Sequence, residues 1–242
     1  MPPAPKHSHI DQQHMILTAA ANCIEQTSLL DFTMAAISKE AGLSMGSIYK
    51  HIQSKEDVLV ALATLSFQHM AQVFKRVMAL PLPYVHRLLG LQLLGNDIIG
   101  LYPFGSNLEM LVSSAAVRQR ASASWLEQMT RADIACEEQC TSNILNAVSA
   151  GELDVSDEER EAMTEEIKLG SWSLHVGFVQ VARQRAVRQL DAELAEQPNS
   201  MMPTDPIVQI QKRLLNSYPW CQPITDSDIE RVCQVMADAG LR

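Results

Sequence analysis

The stretch that decides the fold is 33–57, TMAAISKEAGLSMGSIYKHIQSKED. It contains a short helix that Thr33 can cap, a tight turn at Gly42, a second short helix capped by Ser44, and the start of a third helix at Ser54. Two short helices joined by such a turn predict a helix-turn-helix. This arrangement holds one helix steeply across another, so that the second helix can enter the major groove of DNA.

The predicted second helix has an inner face and an outer face. The residues expected to anchor it inside the domain are Ile37, Ala41, Leu43 and Ile48. The outward residues near its start are small or polar, which would let backbone N–H groups approach a phosphate: Ser44, Met45, Gly46 and Ser47. Tyr49, Lys50 and His51 add a hydroxyl, a charge and a titratable ring. The positive charge of Lys55 lies in the first turn of the next helix, where the helix dipole disfavours it. A contact between Lys55 and a phosphate would offset this cost.

The rest of the chain also predicts helices, because Ala, Leu, Met, Glu and Gln dominate and no convincing strand pattern occurs. The fold class is therefore all-α: a three-helix N-terminal helix-turn-helix domain followed by a larger helical domain. A Pro-rich arm, 1–8, precedes the first helix. The further predicted helices are 9–27, 55–79, 84–101, 106–118, 121–150, 156–190, 207–217 and 226–239.

Charge and composition limit the functional classes. The net charge is −9 over 242 residues. Residues 1–56 are nearly neutral, with four Lys or Arg against five acids. The five cysteines fit no disulfide framework, and Cys136 with Cys140 lacks two further ligands close in sequence for a metal ion. No signal peptide, membrane span or catalytic motif is recognised. We expect a cytoplasmic non-enzyme without cofactor or metal.

The run AAISKEAGLSMGSIYKHIQSKEDVL resembles the N-terminal domain of TetR-type transcriptional regulators. The positions that match the family pattern are Ala41, Gly42, Ser44, Gly46, Ser47, Ile48, Tyr49, Ser54, Lys55, Glu56 and Leu59. The sequence departs from that pattern at Ile52, where the family has Phe, and at Ser28-Leu29, where the family has Gly. The first helix also lacks the family's Arg. The larger domain resembles the family only in layout.

This resemblance implies a DNA-binding domain at 9–56, a connector helix at about 55–79, and an effector-binding and dimerisation domain at 80–242. It implies phosphate contacts from Thr33, Ser44, Tyr49 and Lys55, and base-edge contacts from Met45, Ser47, Lys50 and His51. The expected partner is a palindromic operator in double-stranded DNA, bound by a homodimer. The expected role is a repressor that a small molecule releases from DNA.

The second domain carries candidates for dimerisation and for ligand binding. The segment 169–182 is apolar nearly all round yet contains Gly170 and Gly177. Each glycine costs a helix about 1 kcal/mol, which a close contact with another helix would offset. We expect this segment and 207–217 to form a two-fold interface. The expected lining of a pocket for a hydrophobic or aromatic effector is His69, Tyr84, Leu88, Tyr102, Phe104, Met110, Trp125, Met129, Trp172 and His175.

Two other classes remain open from the sequence. One is an activator or DNA-organising protein on the same scaffold, without release by a ligand. The other is a helical sensor or enzyme that keeps the N-terminal domain but no longer reads DNA. The nearly neutral N-terminal segment is the support for this second alternative.

Overall fold

The all-α prediction is confirmed by a computed structural model that describes residues 8–189 and 199–242, the side chains of 186–189 excepted. The described residues form helices and no strand, apart from one isolated bridge between Leu153 and Trp220. The helices are α1 His9–Gln26, α2 Met34–Ala41, α3 Met45–Ile48, α4 Lys55–Met78, α5 Tyr84–Gln92, α6 Asn96–Ile99, α7 Gly105–Val112, α8 Ala115–Arg118, α9 Ala123–Ser149, α10 Arg160–Gln189, α11 Pro206–Asn216 and α12 Asp226–Asp238.

The chain forms two compact units. The first contains the described residues up to His69 together with Gly100–Ile134. Its core is built from α1 to α4, with Leu108, Val112 and Trp125 buried in the same cluster. The sequence predicts 100–134 in the second domain, so the observed boundary differs from that prediction. The predicted arm lies outside the described residues except for Ser8, which caps α1.

The second unit contains Met70–Ile99 and the described residues from Ala135 to Arg242. Its core includes Leu89 on α5, Ile144 on α9, Val208 on α11 and Val232 on α12. α4 and α9 each begin in the first unit and end in the second. α4 has the length and mean hydropathy of a membrane span, but most of its apolar stretch is buried in the protein, as in the core helix of a globular domain.

Two predicted helices are wrong as single elements. The predicted helix 84–101 stops at Gln92 and resumes at Asn96, because the Gly95 backbone N–H donates to the carbonyl of Leu241. The predicted helix 106–118 divides after Val112, where the Ser114 hydroxyl donates to the Leu111 carbonyl and then caps α8. The end predicted at Leu190 lies outside the described residues.

Candidate nucleic-acid interface

The turn between α2 and α3 has the predicted geometry. Gly42 ends α2 in the left-handed region at φ 64°, where a side chain would be strained. Its N–H donates to the Lys39 carbonyl, and the Leu43 N–H donates to the Ser38 carbonyl at 3.1 Å. This closing pattern terminates α2 and turns the chain sharply toward α3.

Side-chain caps fix the start of each helix around the turn. Thr33 Oγ1 accepts from the Ala36 N–H at 3.1 Å, and Ser44 Oγ accepts from the Ser47 N–H at 3.2 Å. At α4, Ser54 Oγ accepts from the Asp57 N–H at 3.0 Å, while an Asp57 carboxylate oxygen accepts from the Gln53 N–H at 3.0 Å. The backbone of this region is therefore defined by local hydrogen bonds.

α3 is a single turn with one buried face. Ile48 and the following Ile52 have no exposed surface. Ser44, Gly46, Tyr49 and Lys50 are exposed on the other side, and Met45 and Ser47 are half-buried. The structure therefore brings six of the predicted contact residues together on the outer side of α3 and the turn that follows it.

His51 is held inside the domain more firmly than the sequence indicated. Its ring centroid lies 4.1 Å from that of His9 on α1, and Nε2 is 3.4 Å from Gln12 Oε1. Burial lowers the pKa of His51 below its ordinary value, and the positive charges of His9 and Lys50 lower it further. These contacts give His51 a structural role in addition to its predicted role at DNA.

Lys55 is also engaged within the protein. Its Nζ donates to the Leu30 carbonyl at 2.9 Å and lies 4.5 Å from the centre of the Phe32 ring. These contacts hold the ammonium group beside the turn between α1 and α2. That turn leads into Thr33, the exposed residue that caps α2.

The predicted ligand residues divide between the units. His69, Tyr102, Phe104, Met110, Trp125 and Met129 belong to the first, and Tyr84, Leu88, Trp172 and His175 to the second. Trp125 and Leu88 are core residues with 6% of their surface exposed, whereas Met110 and Trp172 are 47% and 57% exposed. The ten residues therefore do not share one environment.

Tyr102 and Phe104 form a stacked aromatic pair with ring centroids 5.1 Å apart. Burial raises the pKa of Tyr102 to about 12, with a smaller contribution from the charge of Glu25. The phenol therefore remains protonated at neutral pH and can donate a hydrogen bond.

A shallow depression of about 560 Å³ lies elsewhere, along α1 and α2, and none of the predicted ligand residues lines it. Its lining includes the side chains of Asp11, His14 and Glu40. Within 8–189 and 199–242, no three His, Cys, Asp or Glu side chains are placed to hold a metal ion. Burial raises the pKa of Cys140 to about 12, so its thiol stays protonated.

Sequence reasoning missed the contacts that attach the start of α9 to the helix-turn-helix. The Ser122 N–H donates to Asp57 Oδ1 at 2.6 Å, and the Trp125 indole N–H donates to the His51 carbonyl at 3.2 Å. The capping-box position of Asp57 was visible in the sequence. Nothing in the sequence indicated that a residue 65 positions later would share its carboxylate.

Comparison with known proteins agrees with this geometry. A family model described as "Bacterial regulatory proteins, tetR family" matches residues 16–62, which contain α2, α3 and the turn between them. The N-terminal helix-turn-helix of this chain is therefore similar to the DNA-binding domain of the TetR family. No curated protein sequence matches the chain.

Solved structures share the fold of this chain well beyond the residues that the family model matches. RolR in complex with resorcinol has a TM-score of 0.55 at 12% identity, covering 94% of this chain and 93% of RolR. A protein of unknown function from Rhodococcus sp. RHA1 has a TM-score of 0.55 at 17% identity, covering 90% and 100%. A TetR/AcrR-family regulator from Thermobifida fusca YX-ER1 has a TM-score of 0.51 at 17% identity, covering 86% and 98%. Over most of its length, the chain therefore shares its fold with these three structures.

Proposed function

We propose that this protein is a cytoplasmic, sequence-specific transcriptional repressor of the TetR family that binds a palindromic operator as a homodimer and leaves it when a small aromatic or apolar ligand binds. The observation that carries the proposal is the exposed outer face of α3, where caps and the Gly42 turn hold small and polar residues away from the core. A helix presented in this way fits the major groove.

The contacts follow from the arrangement of that face. Ser47, Met45 and Lys50 project from α3 and its following turn and are the candidates for base edges. Thr33, Ser44 and Tyr49 offer hydroxyl groups to phosphates, Lys55 adds a positive charge, and the His51 ring is a further candidate for base edges near the same surface. Gly46 keeps the backbone accessible between them.

The experiment is selection of DNA ligands from a random duplex library by the full-length protein, followed by binding titrations of the selected site. We expect the double variant Tyr49→Ala/Lys50→Ala to lose at least about 30-fold in affinity, as for two lost groove or phosphate contacts. Lys75→Ala, an exposed cation on the part of α4 in the second unit, is the control and should bind as wild type. Equal binding by the double variant and the control would contradict the assignment.

The homodimer is supported by an unpartnered face of α10. Leu169, Trp172 and Val176 recur on one side of the helix and are 52%, 57% and 48% exposed. Gly177 immediately follows Val176 in the sequence, and a Cβ built there would meet nothing within 4 Å. No contact in the described protomer requires a glycine at this position, whereas close approach of a second helix would.

The ligand class is supported by the aromatic candidates and by analogy. The Tyr102–Phe104 pair offers a stacking surface with a protonated hydroxyl beside it, which suits a planar ligand with a polar substituent. RolR, which shares the fold, was crystallised with resorcinol. A thermal-shift screen of hydroxylated aromatics, followed by titration of any stabilising compound into the DNA complex, tests release. A compound that stabilises the protein but leaves the complex intact would favour regulation without release.

A further inference from the structure

The segment from the end of α8 into the first turn of α9 (residues 119–125) makes three polar contacts with the helix-turn-helix. The Trp125 indole donates to the His51 carbonyl at 3.2 Å, just after α3. The Ser122 N–H donates to Asp57 Oδ1 at 2.6 Å, at the start of α4. Arg120 and Glu56 form an ion pair at 3.4 Å, with the Arg120 side chain 73% exposed. All of these residues belong to the first unit.

The contacts differ in strength because they differ in burial. Asp57 is 1% exposed and Trp125 is 6% exposed, so their hydrogen bonds are shielded from water and costly to leave unmade. The ion pair is largely solvated and contributes little. The carboxylate of Asp57 also accepts from the Gln53 N–H, so one buried group joins the turn after α3 to the start of α9.

α3 needs such support because it is only four residues long. A single helical turn is unstable by itself, and its direction depends on what holds its two ends. Ser44 caps the front end, and the Trp125 indole binds the carbonyl of the turn that closes the back end. α9 is a 27-residue helix and supplies a stiff support for that second attachment.

We propose that Trp125 and Asp57 are positioning residues that fix the direction of the recognition helix, with α9 as the support. Trp125 was expected to line a ligand pocket, and this assignment gives it a different role. The proposal rests on the proposed function for its consequence at DNA, because a fixed helix direction in each protomer would make binding depend strictly on the spacing of the two half-sites.

The test uses the full-length protein with Trp125→Phe, which keeps an aromatic ring in the core and removes the N–H donor. Trp220→Phe is the matched control, because Trp220 is also 6% exposed and its indole N–H has no hydrogen-bond partner among the described residues. Asp57→Asn is a second variant that weakens the acceptor for the Ser122 and Gln53 N–H groups.

Amide hydrogen exchange measures how firmly α3 is held in the absence of DNA. The amides of residues 49–52 are hydrogen-bonded to carbonyls in or beside α3. We expect them to exchange about threefold to tenfold faster in Trp125→Phe and in Asp57→Asn, the factor that one ordinary hydrogen bond is worth. Trp220→Phe should leave these amides unchanged. Unchanged exchange in Trp125→Phe would overturn the proposal.

Binding to operators with different half-site spacings measures how firmly α3 is positioned on DNA. Adding one base pair between the half-sites of the selected operator moves them apart by about 3.4 Å and rotates one by about 35°. We expect wild type and Trp220→Phe to discriminate strongly against this site, and Trp125→Phe to discriminate about threefold to tenfold less. An equal loss of affinity on both sites would indicate a purely structural role and overturn the proposal. Failure of the wild type to select any DNA would instead refute the proposed function, and the exchange result would still decide the positioning role.

Discussion

Replacing Gly46 by alanine should raise the stability of the protein and weaken its binding to DNA. Gly46 lies inside α3 with an ordinary helical backbone, since the described glycines with positive φ are Gly42, Gly151 and Gly240. A Cβ at Gly46 would meet only Ser44 Oγ, at 3.9 Å, which is ordinary contact. Nothing within the protomer therefore requires glycine at this position.

The two effects have calculable sizes. Alanine restricts the unfolded chain and favours helix, so the free energy of unfolding should rise by about 0.4–1 kcal/mol. For a chain of this length, that corresponds to an increase in melting temperature of roughly 1–4 °C. If the DNA backbone or a base edge approaches Gly46, the added methyl group should cost about 1–3 kcal/mol per half-site, the range for a lost specific contact.

Thermal unfolding and a titration of the selected operator measure the two effects on the same preparation. Gly105→Ala is the control, because a Cβ at Gly105 on α7 meets nothing within 4 Å and Gly105 lies outside the helix-turn-helix. It should be tolerated and bind DNA as wild type. Operator affinity that is unchanged in Gly46→Ala would refute the argument that α3 approaches DNA through this backbone.

Three further outcomes are expected. Trp172→Asp should weaken self-association at least about 30-fold, as measured by light scattering at several concentrations, because it charges the exposed face of α10. Ile134→Asp, at a residue of α9 in the first unit that is 48% exposed, should not. Burial lowers the pKa of His86, so its ring resists protonation in the folded state. The urea concentration at the unfolding midpoint should therefore fall as pH drops below about 6.5. This fall should be smaller in His86→Phe. The slope of log affinity against log salt should be shallow, and Lys55→Ala should reduce it by about 2 per dimer, one phosphate for each protomer. An unchanged slope would place Lys55 away from phosphate.

The helix-turn-helix could be predicted from the sequence because its determinants are local. A glycine at the end of α2 and a serine at the start of α3 act on residues at most five positions away, so the spacing along the chain defines the geometry. The same reasoning located α9 to within two residues of its observed start and one of its observed end. The residues that define a helix cap or a tight turn are neighbours in the sequence.

The elements that were predicted wrongly depend on distant partners. The break before α6 reflects a hydrogen bond between Gly95 and Leu241, which no window around Gly95 contains. Likewise, 100–134 packs with the first unit because Leu108, Val112 and Trp125 are buried in its core. A sequence pattern can indicate that these side chains are buried, but it does not specify which core receives them.

The two glycines of α10 look alike in the sequence, but in the structure they have different surroundings. A Cβ at Gly170 would lie 3.5 Å from Leu214 on α11 and 3.7 Å from the Tyr218 hydroxyl, so its small size serves packing within the chain. Gly177, on the same helix, has no neighbour that explains it. From the sequence alone, both glycines are predicted to lie in one interface between copies. Because contact with α11 already accounts for Gly170, the support for a partner helix comes from the exposed Trp172 and from Gly177, which lies toward a different side of α10. A bulky substitution should therefore disrupt the fold at Gly170 and disrupt only self-association at Gly177.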